Sequence, residues 1–320
     1  MRKRLYISPT QLKMWVEDKK KYYLNYLAET KIPRTPQSLA MAYGSSFDVK
    51  VKYALARRFK VNEFLAEDEE ETLEAQIEVA GVREMVDVGG DNLLEAYKVS
   101  GAFGDLCAEI GDVQNGLRME FTVMTDIHGV PMMLKPDLFF NTTAGMPMIV
   151  DWKVNGAASK GNTSPKAGFI RCRDGWTTET SPHSRGNMTA HKNCNPQKVG
   201  GVTVNLNGRL AIEWERQLTL YALGMGSGGD TSIVAGIEQL ACKRFNGLPY
   251  PRCASHRVLI TPEQQKFHVD QLVELWDCVN SDHIFRSMSK SDSQELCEHY
   301  EEEAKSLAKK SEYANIFRKW

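Results

Sequence analysis

Asp137, Asp151 and Lys153 stand in a part of the chain that alternates as β-strands do. Residues 130–140 and 146–154 are β-compatible runs, separated by the turn composition Asn141-Thr142-Thr143-Ala144-Gly145. An antiparallel register that pairs Phe139 with Ile149 buries Pro136, Leu138 and Phe140 on one face with Met148, Val150 and Trp152. The same register sets Asp137 opposite Asp151 on the other face, with Cβ atoms about 5 Å apart. Lys153, two residues beyond Asp151, projects from that face too. Like charges so placed destabilise a sheet, and a divalent cation between them reverses the sign. Paired carboxylates that hold Mg²⁺ or Mn²⁺, with an ammonium beside the attacking water, are what phosphodiester hydrolysis requires. The D-x-K spacing alone more often marks a solvated hairpin face of surface ion pairs.

The elements that must position these groups can be read from their boundaries. Leu210 to Met225 has helical periodicity and ends in Gly226-Ser227-Gly228-Gly229. Gln217 and Tyr221, four residues apart, share one face of that helix, a spacing that an amphipathic core helix also produces. Ser8-Pro9-Thr10-Gln11 supplies an N-cap, a proline at the first helical position and a glutamine at N3. A second helix is expected from about Ser45 to Arg58, preceded by Gly44, and acidic helices over residues 61–112. Leu117 to Thr125 reads as a further strand, separated by Asp126-Ile127-His128-Gly129 from the next, so that three strands form an antiparallel meander. Residues 155–208 are rich in Gly, Ser, Thr, Asn and Pro and read as a long loop or insertion. Strands are expected at Ser232 to Ala241 and His256 to Ile260. Thr261-Pro262-Glu263-Gln264 opens a helix to about Val279, and residues 292–311 read as a charged helix. The order describes one α/β domain over residues 1–320. Its parts are a mostly helical 1–115, a core 116–260 carrying the insertion, and C-terminal helices over 261–320.

Composition sets the outer limits. The 320 residues, 42% hydrophobic and 25% charged, can bury a full core, which excludes a disordered tail or a disulfide-stapled miniprotein. No run approaches about 18 consecutive apolar residues and the basic N-terminus lacks an apolar segment after it, so neither a spanning helix nor a signal peptide is expected. Seven scattered cysteines without a CxxC pair argue for reduced thiols, and the chain is expected to be cytoplasmic. The formal net charge of -1 conceals a strong asymmetry. Residues 1–60 carry 14 Lys/Arg against 4 Asp/Glu, residues 61–112 carry 2 against 15, and residues 153–209 carry 9 against 2. Two basic stretches flank an acidic one, which fits either a basic face for a polyanion or solvated helix faces.

Pro136-Asp137, 13 residues, then Asp151-Trp152-Lys153 resembles the signature of the PD-(D/E)XK nuclease superfamily. Gln217-Leu218-Thr219-Leu220-Tyr221 is similar to the Q-x-x-x-Y motif of its RecB-type branch. Gly44-Ser45-Ser46-Phe47-Asp48 resembles the branch's G-x-x-x-H motif, with an aspartate in place of the usual metal-binding histidine. Ile7 to Leu12, with Trp15 and Tyr22-Tyr23-Leu24, is similar to the family's opening helix, and the Thr261-Pro262-Glu263 turn looks like that of phage-borne members. The resemblance implies a restriction-endonuclease-like core, a mixed sheet flanked by helices. It implies that Asp137, Asp151, Asp48 and the main-chain carbonyl of Trp152 hold the metal, that Lys153 acts on the water or phosphate, and that Gln217 and Tyr221 contact DNA or brace Lys153. Its implied activity is metal-dependent DNA cleavage in phage or host replication and recombination, in the host cytoplasm if the chain is phage-encoded. The four-cysteine iron-sulfur pattern of many relatives is missing from this sequence.

The insertion offers a weaker constellation. Cys172, His183, His191 and Cys194 lie within 23 residues and have the donor types of a structural Zn²⁺ site. Arg171, Arg173, Arg185, Lys192 and Lys198 are candidates for holding a nucleic-acid strand, with or without zinc. Two rivals from other classes remain open at this point. One is a DNA-binding module of the same fold that does not turn over, and the other is a structural protein that recruits partners through the insertion.

Overall fold

The computed structural model describes residues 4–28, 36–79, 81–111, 116–161, 163, 165, 169–174, 194–281, 298 and 302, with residues 171–174 and 245 described by backbone alone. In chain order the elements are α1 (Pro9–Glu17), α2 (Lys19–Tyr26), α3 (Leu39–Phe59), α4 (Asn62–Leu65), α5 (Glu69–Gln76), α6 (Arg83–Val99) and α7 (Ala102–Glu109). Then come β1 (Arg118–Met119), β2 (Val123–Ile127), β3 (Val130–Leu134), β4 (Leu138–Asn141), β5 (Pro147–Asn155), β6 (Phe169–Asp174), β7 (Pro196–Val199) and β8 (Val202–Asn205). The last are α8 (Ile212–Gly224), β9 (Ile233–Phe245), β10 (Leu248–Ile260) and α9 (Pro262–Ser281). Among the described residues, no helix is long and apolar enough to cross a membrane.

The architecture is a mixed six-stranded sheet in the order β1-β4-β5-β9-β10-β6, flanked by helices. Every pairing in it is antiparallel except that of β5 with β9. Side chains alternate between two cores, as the pleat requires. Leu138, Phe140, Met148, Val150 and Trp152 pack with Tyr43, Phe47, Leu93 and Tyr97 of α3 and α6. Ile149, Ala235 and Ile237 pack on the opposite side with Leu12, Leu218, Leu220 and Leu272 of α1, α8 and α9.

Local chemistry explains the boundaries. The Ser8 hydroxyl accepts the Gln11 N–H at the start of α1, and Thr261 and Gln264 cap each other reciprocally at the start of α9. Helix α3 begins six residues before the expected Ser45, because Ser38 caps it by accepting from the Met41 N–H and burial of Ala42 and Tyr43 carries the helix through Gly44. The expected strand over 130–140 is two strands in different sheets. Pro136 has no N–H to give to a ladder, so the chain leaves the β2–β3 hairpin at Leu134 and re-enters at Leu138 beside β5. The meander is therefore corrected: β1 pairs with β4, and β2 pairs with β3 through the His128-Gly129 turn. The strands expected at 232–241 and 256–260 are longer, since Asn246 and Gly247 adopt positive φ and close a hairpin between β9 and β10. The span 155–208 is not all loop, because β6 pairs with β10 and β7 with β8. The charged helix expected over 292–311 lies outside the described residues, Glu298 and Glu302 apart.

Candidate active site

The β4–β5 pair has the register read from the sequence, with Phe139 opposite Ile149 and Leu138 opposite Val150. Continued by one residue, it opposes Asp137 to Asp151. The Trp152 N–H donates to Asp137 Oδ2 at 3.4 Å. Asp151, on the central strand β5, is only 1% exposed. Burial, and then the Asp137 charge beside it, push its carboxyl well above the usual range. Burial is the largest influence on Asp137 too and acts the same way, but the Lys52 ammonium, the neighbouring Asp151 carboxyl, the Lys153 ammonium and the Trp152 N–H together outweigh it and hold that carboxyl below its ordinary value. The two neighbouring acids are thus pushed in opposite directions, Asp151 up and Asp137 down.

Helix α8 closes the site from one face of the sheet. Lys153 Nζ forms an ion pair with Asp151 and donates to Gln217 Oε1 at 3.1 Å. Gln217 Nε2 lies 2.9 Å from the Tyr221 hydroxyl and 3.4 Å from Asp151 Oδ1. Burial alone would lower the Lys153 pKa, but Asp151 and Asp137 raise it above the usual value, so the side chain is an ammonium. Burial pushes the Tyr221 hydroxyl up, and the phenol stays neutral. The four-residue spacing on α8 therefore serves a chain from Tyr221 through Gln217 to Lys153 and Asp151.

Helix α3 reaches the site from the other layer. The Asp48 carboxyl, raised to about 6 chiefly by burial, accepts from Lys52 Nζ at 2.6 Å. The same ammonium lies 3.1 Å from Glu120 Oε2 and 3.8 Å from Asp137 Oδ1. Sequence reasoning missed Lys52 and Glu120. The first had a usable signal, its position one helical turn after Asp48. Glu120 had none: it sits at φ 46° just after β1, and its N–H donates to the Asp137 carbonyl at 3.1 Å. A cleft of about 210 Å³, lined by Gly44, Ser45, Asp48, Gln76 and Asp137 among others, opens onto these acids.

The donor chemistry is all oxygen, as hard cations such as Mg²⁺ and Mn²⁺ prefer. The buried Asp151 carboxyl beside Asp137 marks a place where positive charge is in demand. Among the described residues no group of three or more His, Cys, Asp or Glu is arranged as a ready ligand set. The carboxylates meet in pairs with lysines between them. Asp137, Asp151 and the Trp152 carbonyl would fit only an open site, with water as the remaining ligands.

The second constellation falls largely outside the described residues: His183, His191, Arg185 and Lys192 lie there wholly, and the side chains of Arg171, Cys172 and Arg173 on β6 do too. Cys194 Sγ donates to the Phe169 carbonyl at 3.1 Å, and Lys198 is exposed on β7. Comparison with protein-family models, with curated proteins and with solved structures finds no match.

Proposed function

We propose that this chain is a divalent-metal-dependent DNA nuclease with a restriction-endonuclease-like core of the RecB type. The observation that carries the reading is the opposition of Asp137 and Asp151 beside an ammonium, Lys153, that is itself held by Gln217. Asp137, Asp151 and the Trp152 carbonyl would hold Mg²⁺ or Mn²⁺, with Asp48 at the edge of the set. Bound there, the ion supplies Lewis acidity to the scissile phosphate and lowers the pKa of a water. Lys153 donates to the attacking water or to a non-bridging phosphoryl oxygen, where negative charge grows in the transition state. Gln217 fixes that ammonium in place, and Tyr221 fixes Gln217. Water adds to phosphorus, the P–O3′ bond breaks, and the 3′ oxygen leaves as a hydroxyl opposite a 5′-phosphate. The basic stretches 1–60 and 153–209 suit a DNA backbone, and the reading includes processing of ends or single strands in phage replication or recombination.

Purified protein incubated with end-labelled linear and circular DNA, with and without Mn²⁺, tests the proposal. Metal-dependent loss of label is expected. Asp151→Asn and Lys153→Ala are each expected to reduce cleavage at least about 10³-fold, on the scale of losing a group that acts in the transition state. Cleavage by both variants at the wild-type rate would overturn the assignment. A DNA-binding module without turnover is favoured by one observation, the Lys52 ammonium among Asp48, Glu120 and Asp137. Binding to labelled DNA with no cleavage in either metal would establish that rival.

A further inference from the structure

We propose that Lys52 is a built-in cation that fills one of two places for positive charge in the acidic cradle, so that the centre takes a single divalent ion at Asp137 and Asp151. The inference rests on the metal-dependent reading above and specifies its metal count. Lys52 is 1% exposed, and its ammonium has carboxylate oxygens of Asp48, Glu120 and Asp137 at 2.6, 3.1 and 3.8 Å. Its stem rises from α3 one turn after Asp48, so the ammonium is tethered inside the group that surrounds it.

Asp137 is the shared wall. Its Oδ1 faces Lys52, while its Oδ2 faces the Trp152 N–H and β5. Two-metal hydrolases hold their ions about 3.5–4 Å apart. A second ion on the Oδ1 side would have to stand where the Lys52 ammonium stands. Charge balance agrees. Asp48, Glu120, Asp137 and Asp151 are four carboxylates, and Lys52 and Lys153 are the two ammonium groups enclosed with them. When all four are ionised, the deficit equals the charge of one divalent ion. Lys135 reaches Glu120 from outside with its side chain 58% exposed, where solvent screens it.

The experiment counts bound Mn²⁺ by equilibrium dialysis, with free ion read by electron paramagnetic resonance. Wild type is expected to bind about one Mn²⁺ per chain and Lys52→Met about two, the count of a two-metal site. Lys52→Arg, which keeps the charge, is expected to stay at about one. Because Lys52→Met takes one ammonium from three half-buried carboxylates, Asp48→Asn/Lys52→Met removes one charge of each sign and is expected to fold and bind about one. Wild type binding two ions, Lys52→Met folded and binding one, or the double variant binding two would overturn this inference alone. The nuclease reading would then still stand. Wild type binding no Mn²⁺ would overturn both.

Discussion

Asp48 is one place where solution pH acts on the fold. Its carboxyl is raised from 3.8 to about 6, chiefly by burial, with Lys52 opposing. A carboxyl raised in the folded state favours folding most below its ordinary value, and that contribution is lost as pH rises through the folded value. The stability difference between wild type and Asp48→Asn should therefore shift against wild type between about pH 4 and pH 6, by at most about 3 kcal/mol. Urea unfolding at several pH values measures it, and parallel curves for the two proteins would contradict it. Sequence alone exposed much of this neighbourhood. Asp137, Asp151 and Lys153 follow from strand alternation, and Gln217 and Tyr221 from helical spacing, because both periods are local. Lys52 and Glu120 meet across 68 residues, and Glu120 turns inward only through a left-handed backbone. No periodicity encodes such a meeting.

At the level of elements, α3 carries Asp48 and Lys52, and its place depends on α6. The two helices approach so closely that a Cβ on Gly90 would stand 2.0 Å from Ser46 Oγ, and one on Gly89 would stand 2.1 Å from the Tyr43 ring. Lys50, on α3, reaches Asp87 and Asp91 of α6 at 2.6 and 2.7 Å. Gly90→Ala gains helix propensity of about 1 kcal/mol. Overpacking costs more, so a net loss of about 1–2 kcal/mol is expected. Guanidinium midpoints measure it, and a midpoint at or above wild type would mean that the helices have room to spare. The start of α3 shows why element ends were harder to read than element types. Gly44 looked like a boundary, yet the capping Ser38 and the buried Tyr43 decide where the helix begins. Pro136 lay in plain view within the expected strand, and its missing N–H divides one apparent strand between two sheets.

The whole molecule is tied across the sheet by a buried ion network that local pattern could not reveal, since its partners come from distant segments. Arg257 on β10, 1% exposed, donates to Glu109 of α7 at 3.0 and 2.9 Å and to Glu238 of β9 at 2.5 Å. Arg257→Met would leave Glu238 buried beside no cation, a loss of about 3–5 kcal/mol. Arg257→Met/Glu238→Gln should recover much of it, and thermal unfolding of both variants decides; equal stability of wild type and Arg257→Met would show the network to be ornamental. At this scale the alternation of strand-like and helix-like periods did convey an α/β architecture, while the helix-flanked mixed sheet was implied by the resemblance alone. It did not convey sheet order, which depends on β9 lying between β5 and β10. That order has a further effect. β5 and β9 run the same way, so the chain between them must come back along the sheet, and α8 makes that return against the aspartate strand. Among the described residues, the chain between Asn155 and Ile212 rejoins the six-stranded sheet only through β6, at an edge separated from β5 by two strands. The excursion between β5 and α8 can therefore vary without moving the strand that carries Asp151.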